Sequence, residues 1–181
     1  QQVFVRPERQ LKKSDLVNVK KLIDRRSKHE PIALIIGEKE FWSLPFKVTA
    51  ATLIPRPDSE TIIEAVLAVH SDKELPTRIL DLGTGSGCLL LTLLNEYQYS
   101  TGVGIDFSED ALNVARLNAQ SLGIVDRVDF VQMNWNDGIP ILADFDIIVC
   151  NPPYVAENDR NKLSIDILGY EPHSALFAGI D

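Results

Sequence analysis

The chain of 181 residues is poor in the side chains that build metal and redox centres, with two cysteines, three histidines and one methionine. Cys88 and Cys150 lie far apart in the sequence and form no Cys-x-x-Cys pair, so two inert buried thiols in a reducing compartment are expected. His29, His70 and His173 make neither a His-x-x-x-His nor a His-Glu-x-x-His spacing, and no metal is expected. No stretch approaches the ~18 uninterrupted apolar residues of a membrane helix, and no apolar targeting segment opens the chain. Gln1 stands where a methionine would, so an upstream part is expected to be missing. Basic charge is also scarce: 18 Lys and Arg face 26 Asp and Glu, for a net charge of −8. Residues 1–28 hold nine bases against three acids, and the remainder nine against twenty-three. An acidic body disfavours broad nucleic-acid binding, whose affinity comes from phosphate neutralisation. The basic amino segment reads as a solvated helix face, with contact to RNA or an acidic partner as the other reading. The expected location is cytoplasmic, or the mitochondrial matrix for a eukaryotic source.

What is present is a soluble, globular composition, 45% hydrophobic, with a clear change of pattern along the chain. Ser14 is placed to cap a helix through about Arg26, in which Leu16, Val19, Leu22 and Ile23 recur at helical spacing. It closes an amino-terminal helical region, residues 1–30. Residues 31–56 carry β-branched and aromatic side chains around Gly37 and Pro45, which predicts short strands or a hairpin linker. Arg56-Pro57-Asp58 opens a helix to about His70. From Arg78, strands and helices alternate: RILDLG, a helix after Gly87, TGVGID, a helix from Ser108 to Leu122 ended by Gly123, RVDFVQM and FDIIVC. This alternation predicts an α/β domain over residues 57–181, with a mainly parallel sheet and right-handed crossovers.

Asp81-Leu82-Gly83-Thr84-Gly85-Ser86-Gly87 falls between a strand and a helix, where glycines let the backbone approach a ligand and the helix amino end offers free N–H groups. Cys88 occupies the place of the last glycine of the dinucleotide fingerprint, which weakens an NAD reading. No Gly-Lys-Ser/Thr follows, and Ser86 lacks a glycine two residues before it, so neither a P-loop nor a nucleophile elbow fits. Asp106 ends the next strand roughly 20 residues beyond Gly83, the spacing of an acid that holds the ribose hydroxyls of an adenosine. The alternative is an Asp that caps the helix ahead of Ser108. Asn151-Pro152-Pro153-Tyr154 follows FDIIVC, read as a buried strand over Phe145–Cys150, at the end where open α/β sheets bind ligands. Pro152 and Pro153 fix two φ angles and remove two N–H donors, and Pro152 holds Asn151 extended. The plain alternative is a turn.

DLGTGSG, GID and NPPY in this order resemble S-adenosylmethionine-dependent methyltransferases that act on planar amino or amide nitrogens. RRSKHEPIALIIGEKEFW, LIPRPDSE, MNW and NPPYV more closely resemble the HemK-like family of peptide chain release factor glutamine methyltransferases, over about residues 16–179. The resemblance implies a Rossmann-like class I methyltransferase fold with a remnant of an N-terminal helical domain and a β-hairpin linker. It also implies a seven-stranded sheet, completed by elements beyond EPHSALFAGID, of which four strands are legible. The implied cofactor is S-adenosyl-L-methionine, with S-adenosyl-L-homocysteine as product. Its methionine and ribose part would lie on Gly83, Gly85 and Gly87, with Thr84 and Ser86 between them and Asp81 near its amino group. Asp106 would hold the ribose next to Phe107, and Trp135 would sit by the adenine. Asn134 stands where the family usually has an acid, and its amide can still hydrogen-bond the adenine amino group. Asn151 would border both cofactor and substrate.

A glutamine amide nitrogen is a poor nucleophile because its lone pair is delocalised into the carbonyl. The Asn151 side-chain oxygen and the Pro152 carbonyl can each accept one amide hydrogen and turn that lone pair towards a methyl donor, while Pro153 stiffens the loop and Tyr154 packs over the flat group. The implied partner is a class I release factor, methylated on the glutamine of its Gly-Gly-Gln loop, with neither a membrane nor a nucleic acid as direct partner. Two other readings stand: an exocyclic-amino methyltransferase on adenine in DNA or RNA, since a flipped adenine offers the same geometry, and a non-catalytic cofactor-binding module.

Overall fold

A computed structural model describes residues 12–137 and 144–179. Residues 1–11 of the expected helical region and the last two residues of the expected α/β domain lie outside the described residues. The chain opens with α1 (Lys13–Ser27). Its first turn is closed by Asp15, whose carboxylate accepts from the Lys12 N–H at 3.2 Å, so Ser14 lies inside the helix and does not cap it. Leu16, Val19, Leu22 and Ile23 are all exposed on the described residues.

The linker differs from its expected form in one respect. Ile32–Ile36, the most β-branched part, makes a short helix, α2, ended by Gly37 at φ 81°. The hairpin comes after it, β1 (Glu38–Phe41) against β2 (Leu44–Lys47), with Pro45 inside β2. Its two-residue turn is Trp42-Ser43, at φ 51° and 61°. Such turns need two left-handed residues and favour Asn-Gly, so Trp-Ser gives no turn signal in the sequence. Here the strain is offset by contacts: the Trp42 N–H donates to Glu60 and its indole N–H to Glu96, each at 2.9 Å. Phe41 and Phe46 meet edge to face at 6.2 Å and are 1% and 0% exposed, within the same apolar cluster as the helix described next. Burying two such rings contributes about 1.5–3 kcal/mol each. The hairpin is thus part of the main core.

A 3₁₀ turn (Pro57–Ser59) leads into α2's successor, α3 (Glu60–Val69), with Pro57 at its start as expected. β3 (Arg78–Leu82) is followed by α4 (Cys88–Glu96), β4 (Thr101–Asp106), α5 (Glu109–Leu122), β5 (Val128–Gln132) and β6 (Ile147–Cys150). Ser108 caps α5 by accepting from the Ala111 N–H, and Gly123 ends it in the left-handed region. α4 carries leucines on every side and is buried all round, because it lies between the sheet, α3 and α5. The four strands form one parallel sheet in the order β5-β4-β3-β6.

FDIIVC departs from a fully buried strand. Ile147 and Val149 are buried, whereas Ile148 is 59% exposed. The register explains the alternation. Gly102, Ile79 and Ile147 share a row, and a Cβ on Gly102 would lie 2.6 Å from Leu90 of α4, so that row faces the helices. Ile148 is on the other face. After β6 the chain forms a second, smaller parallel pair, β7 (Val155–Ala156) with β8 (Phe177–Gly179), joined through a 3₁₀ segment and α6 (Ile165–Tyr170). The sequence carried no sign of this pair.

Candidate active site

The order of the strands places the site. From β3 the chain runs outward to β4 and β5, then returns to the other side of β3 as β6, so the sheet changes direction beside β3. A crevice opens at the carboxyl ends where such a reversal occurs. Leu82 pairs with Ile105 on one side and with Cys150 on the other. Gly83, Asp106 and Asn151 therefore each stand one residue beyond a common row, on three adjacent strands. With ~4.8 Å between neighbouring strands, the row spans about 10 Å.

The glycine turn is held from within. The Gly83 and Thr84 N–H groups both donate to the Ile105 carbonyl, at 2.8 and 2.9 Å, and the Gly85 N–H donates to Asp106 Oδ2 at 2.9 Å. The expectation of free N–H groups is thus corrected for these three, which are already paired within the protein. Gly83 is at φ 74°, and a Cβ there would meet the Trp135 ring at 3.1 Å, so conformation and contact both require glycine. Asp106 makes the helix-capping contact weighed for it. Its Oδ1 accepts from the Ser108 N–H at 3.0 Å at the start of α5, each oxygen thus has one partner, and the residue lines the pocket.

One pocket contains Gly83, Thr84, Gly85, Ser86 and Asp106, with Phe107, Asn134 and Trp135 at one end and Asn151 and Pro153 at the other. Asn151 is half-buried, and its Nδ2 donates to Ser59 Oγ at 3.4 Å, which leaves Oδ1 as an acceptor. Pro152 and Tyr154 lie outside the lining, and the Tyr154 ring is 78% exposed at the rim. Gly87 and Asp81 lie beneath it.

Asp81 is 1% exposed; its Oδ2 accepts from the Thr84 hydroxyl at 2.7 Å, and its Oδ1 has no hydrogen-bond partner among the described residues. Burial pushes its carboxyl up to about 7, against the pull of the Thr84 hydroxyl. A raised folded value means that the native state holds the proton more tightly than the unfolded chain, where Asp titrates near ~3.9. Stability is then greatest below that value and falls as the pH rises through about 7. We expect Asp81→Asn to be more stable than the parent at pH 8, by on the order of a few kcal/mol, and the gap to shrink towards pH 4. Thermal melts across that range test it, and a gap that does not change with pH refutes it. Burial also pushes Cys88 up to about 12 and raises Cys150, so both remain thiols at neutral pH.

Two residues that build the site carried no sequence signal. Asn118, on α5, is fully buried. Its Oδ1 accepts from the Lys47 N–H at 2.7 Å, and its Nδ2 donates to the carbonyls of Lys47 and Ser86, at 3.1 and 2.8 Å. It bolts the hairpin edge to the glycine turn. Glu171 joins the segment before the 3₁₀ turn to the opposite wall, accepting from the Ile54 N–H at 3.0 Å. LIPRPDSE and EPHSAL contribute Pro55, Arg56 and Ser59, and Pro172, Ser174 and Ala175, to the lining. Both segments are visible in the sequence, but nothing local shows that they face each other. Among the described residues no cluster of His, Cys, Asp or Glu could hold a metal ion, and no helix is long and apolar enough to cross a membrane.

The parallel α/β domain has a pocket where its sheet reverses, and residues 73–168 match the methyltransferase-domain family, to which the chain belongs. Residues 1–37 match the PrmC N-terminal domain. The chain is 44% identical over 159 residues to a release factor glutamine methyltransferase of Bradyrhizobium diazoefficiens, covering 87% of this chain and 53% of that one. It is 42% identical to the protein so named in Aliivibrio fischeri, covering 95% and 59%, and 38% identical to a bifunctional methyltransferase of Rickettsia bellii, covering 99% and 36%. The chain thus spans little more than half the length of the glutamine methyltransferases it matches. Among solved structures, the hMettl16 catalytic domain in complex with an RNA hairpin aligns over 82% of this chain and 55% of that one, with a TM-score of 0.61 at 18% identity. The N-terminal domain of human METTL16 in complex with SAH aligns over 64% and 49%, with a TM-score of 0.52 at 23% identity. These likenesses bear on the fold alone, and the fold agrees with the Rossmann-like expectation.

Proposed function

We propose that the protein methylates the side-chain amide nitrogen, N5, of a glutamine in the Gly-Gly-Gln loop of a class I release factor, with S-adenosyl-L-methionine as methyl donor. The observation that carries this reading is the row of Gly83, Asp106 and Asn151 across three adjacent strands, with the pocket along it. Its residues fit the cofactor: Asp106 keeps acceptor capacity for a ribose diol, and Trp135 packs on Gly83 beside it. When bound, the cofactor supplies an electrophilic methyl group on a sulfonium. Asp106, Phe107, Asn134 and Trp135 hold the nucleoside end, the turn from Gly83 to Gly87 carries the chain between, and Asp81 acts on it through Thr84.

Asn151 Oδ1 and the Pro152 carbonyl accept the two hydrogens of the substrate amide. Both become better partners as positive charge grows on the nitrogen, which stabilises the transition state without a dedicated base. Pro153 keeps the two acceptors fixed, and the exposed Tyr154 is free to cover an incoming flat side chain. In this reading residues 57–181 carry the chemistry, 31–56 form the linker and 1–30 end a helical region. The reaction belongs where translation terminates, in the cytoplasm or the mitochondrial matrix.

The test offers labelled cofactor to the protein with the release factor, with a Gln-to-Ala loop variant, and with adenine-containing DNA or RNA. Label is expected on the intact release factor alone. Transfer to nucleic acid would instead support the adenine reading, and binding of cofactor without transfer to any of them the non-catalytic one.

A further inference from the structure

We propose that Arg160, stacked on Phe177, is a positioning residue for methyl transfer, and that together with His173 it sets the gap that the substrate amide enters. The proposal rests on the function proposed above. Two stretches of the pocket lining are joined directly behind it: Asn151 and Pro153 on one side, and Pro172, Ser174 and Ala175 on the other. The joint lies just past Tyr154, where the Val155 N–H donates to the Leu176 carbonyl at 3.0 Å and β7 pairs with β8. By itself it is weak. Two residues face three, with a register shift between Val155 and Ala156, and a two-stranded pair of that size is marginal without side-chain support.

Arg160 supplies that support from the 3₁₀ segment Glu157–Lys162, which follows β7. Its guanidinium lies over the ring of Phe177, on β8, 4.2 Å from the ring centre. Glu157 Oε1 holds it there, accepting from Nε at 2.7 Å and pairing with Nη2 at 2.6 Å. The third nitrogen, Nη1, faces His173 Nδ1 at 3.4 Å, and the other ring nitrogen of His173 lies 2.9 Å from the Leu168 carbonyl. A carbonyl only accepts and a guanidinium only donates, so Nε2 carries the proton and Nδ1 receives Arg160. His173 also meets Phe177 edge on, at 5.6 Å. Its place in the chain, between Pro172 and Ser174, makes this matter: a ring held at both nitrogens fixes the backbone of the pocket wall. Glu171 fixes the start of the same wall, accepting from the Ile54 N–H at 3.0 Å and from Arg56 Nη2 at 2.5 Å. Arg160, His173 and Phe177 do not themselves line the pocket, so they act on it through the main chain. Only a guanidinium can stack flat on a ring and donate from its edge to two partners at once.

A clamp that only stabilised the fold would lower the melting temperature and leave the rate of the folded protein unchanged, so the test reads rate and cofactor affinity apart. Labelled S-adenosylmethionine, at saturation, is offered with the release factor in single turnover, and calorimetry gives the cofactor affinity, both well below each variant's melting temperature. Arg160→Met is expected to slow transfer by about three- to thirtyfold, the range of a lost cation–π contact, with cofactor affinity kept. Arg160→Lys should recover part of the rate, because an ammonium still lies over the ring. Phe177→Leu should add little in the Arg160→Met background, since the two residues act as one unit. His173→Asn, which leaves Arg160 on its ring, should slow transfer less, again with cofactor affinity kept, and it decides the matter should Arg160→Met fail to fold. A parental transfer rate in these variants, or a loss of cofactor affinity as large as the loss of rate, would overturn the proposal and leave the proposed function intact. No transfer from the parent to the release factor would overturn both.

Discussion

Asn151→Ala is expected to lower single-turnover methyl transfer to the glutamine amide by roughly 10²–10³, as for the loss of one preorganised polar contact, with cofactor affinity largely kept. The expectation follows from the two ends of the Asn151 amide. Its Nδ2 is turned to Ser59, so its oxygen is the end left to meet a substrate. Most of the pocket's lining comes from other residues, so the cofactor loses little when the amide is removed. Asn151→Asp is a sharper probe, because it keeps an acceptor and gives up the donor to Ser59. Transfer in Asn151→Ala at close to the parental rate would remove Asn151 from the reaction.

A second large effect is expected far from any substrate. Asn118→Ala should lower the unfolding free energy by about 2–4 kcal/mol, because three backbone groups, Lys47 N–H, Lys47 C=O and Ser86 C=O, lose their partner and each unmade bond costs ~1–3 kcal/mol where water is excluded. Lys47 is exposed, so water can satisfy part of its share, which keeps the figure below the sum. Asn118→Leu should not restore stability, since volume alone offers no hydrogen bonds. Cofactor affinity should fall in the same variants, because Ser86 belongs to the glycine turn. Denaturant titration of the two variants decides the matter, and a loss below ~1 kcal/mol in both would show that the three groups find other partners.

The elements most legible in the sequence are those with their own local signals. The helix from Ser108 to Gly123 has a capping hydroxyl, an apolar face and a left-handed glycine stop, and it forms as read. Pro57 starts its turn for a reason that lies within one residue, its fixed φ. Other segments follow tertiary contacts that outweigh such signals. Ile32–Ile36 is helical despite its β-branched side chains, in a segment that Arg25 reaches with hydrogen bonds to the Leu34 and Ile35 carbonyls. Trp42-Ser43 turns a hairpin without turn residues because Glu60 and Glu96 hold it from other elements.

The strand and helix alternation from Arg78 onward, the glycine turn and the stiffness of Asn151-Pro152-Pro153 are local properties, since each depends on φ, spacing and periodicity within a few residues. That β6 returns to the side of β3 opposite β4, so that Asn151 stands level with Gly83 and Asp106, is a property of the assembled fold. Strand neighbours are chosen by how helices pack over the whole sheet, and no local pattern encodes that choice. The same holds for Asn118 and Glu171. A buried amide and a buried carboxylate look like surface residues in a sequence, and become necessary only when the fold brings unpaired backbone and a guanidinium to them across 71 and 115 positions.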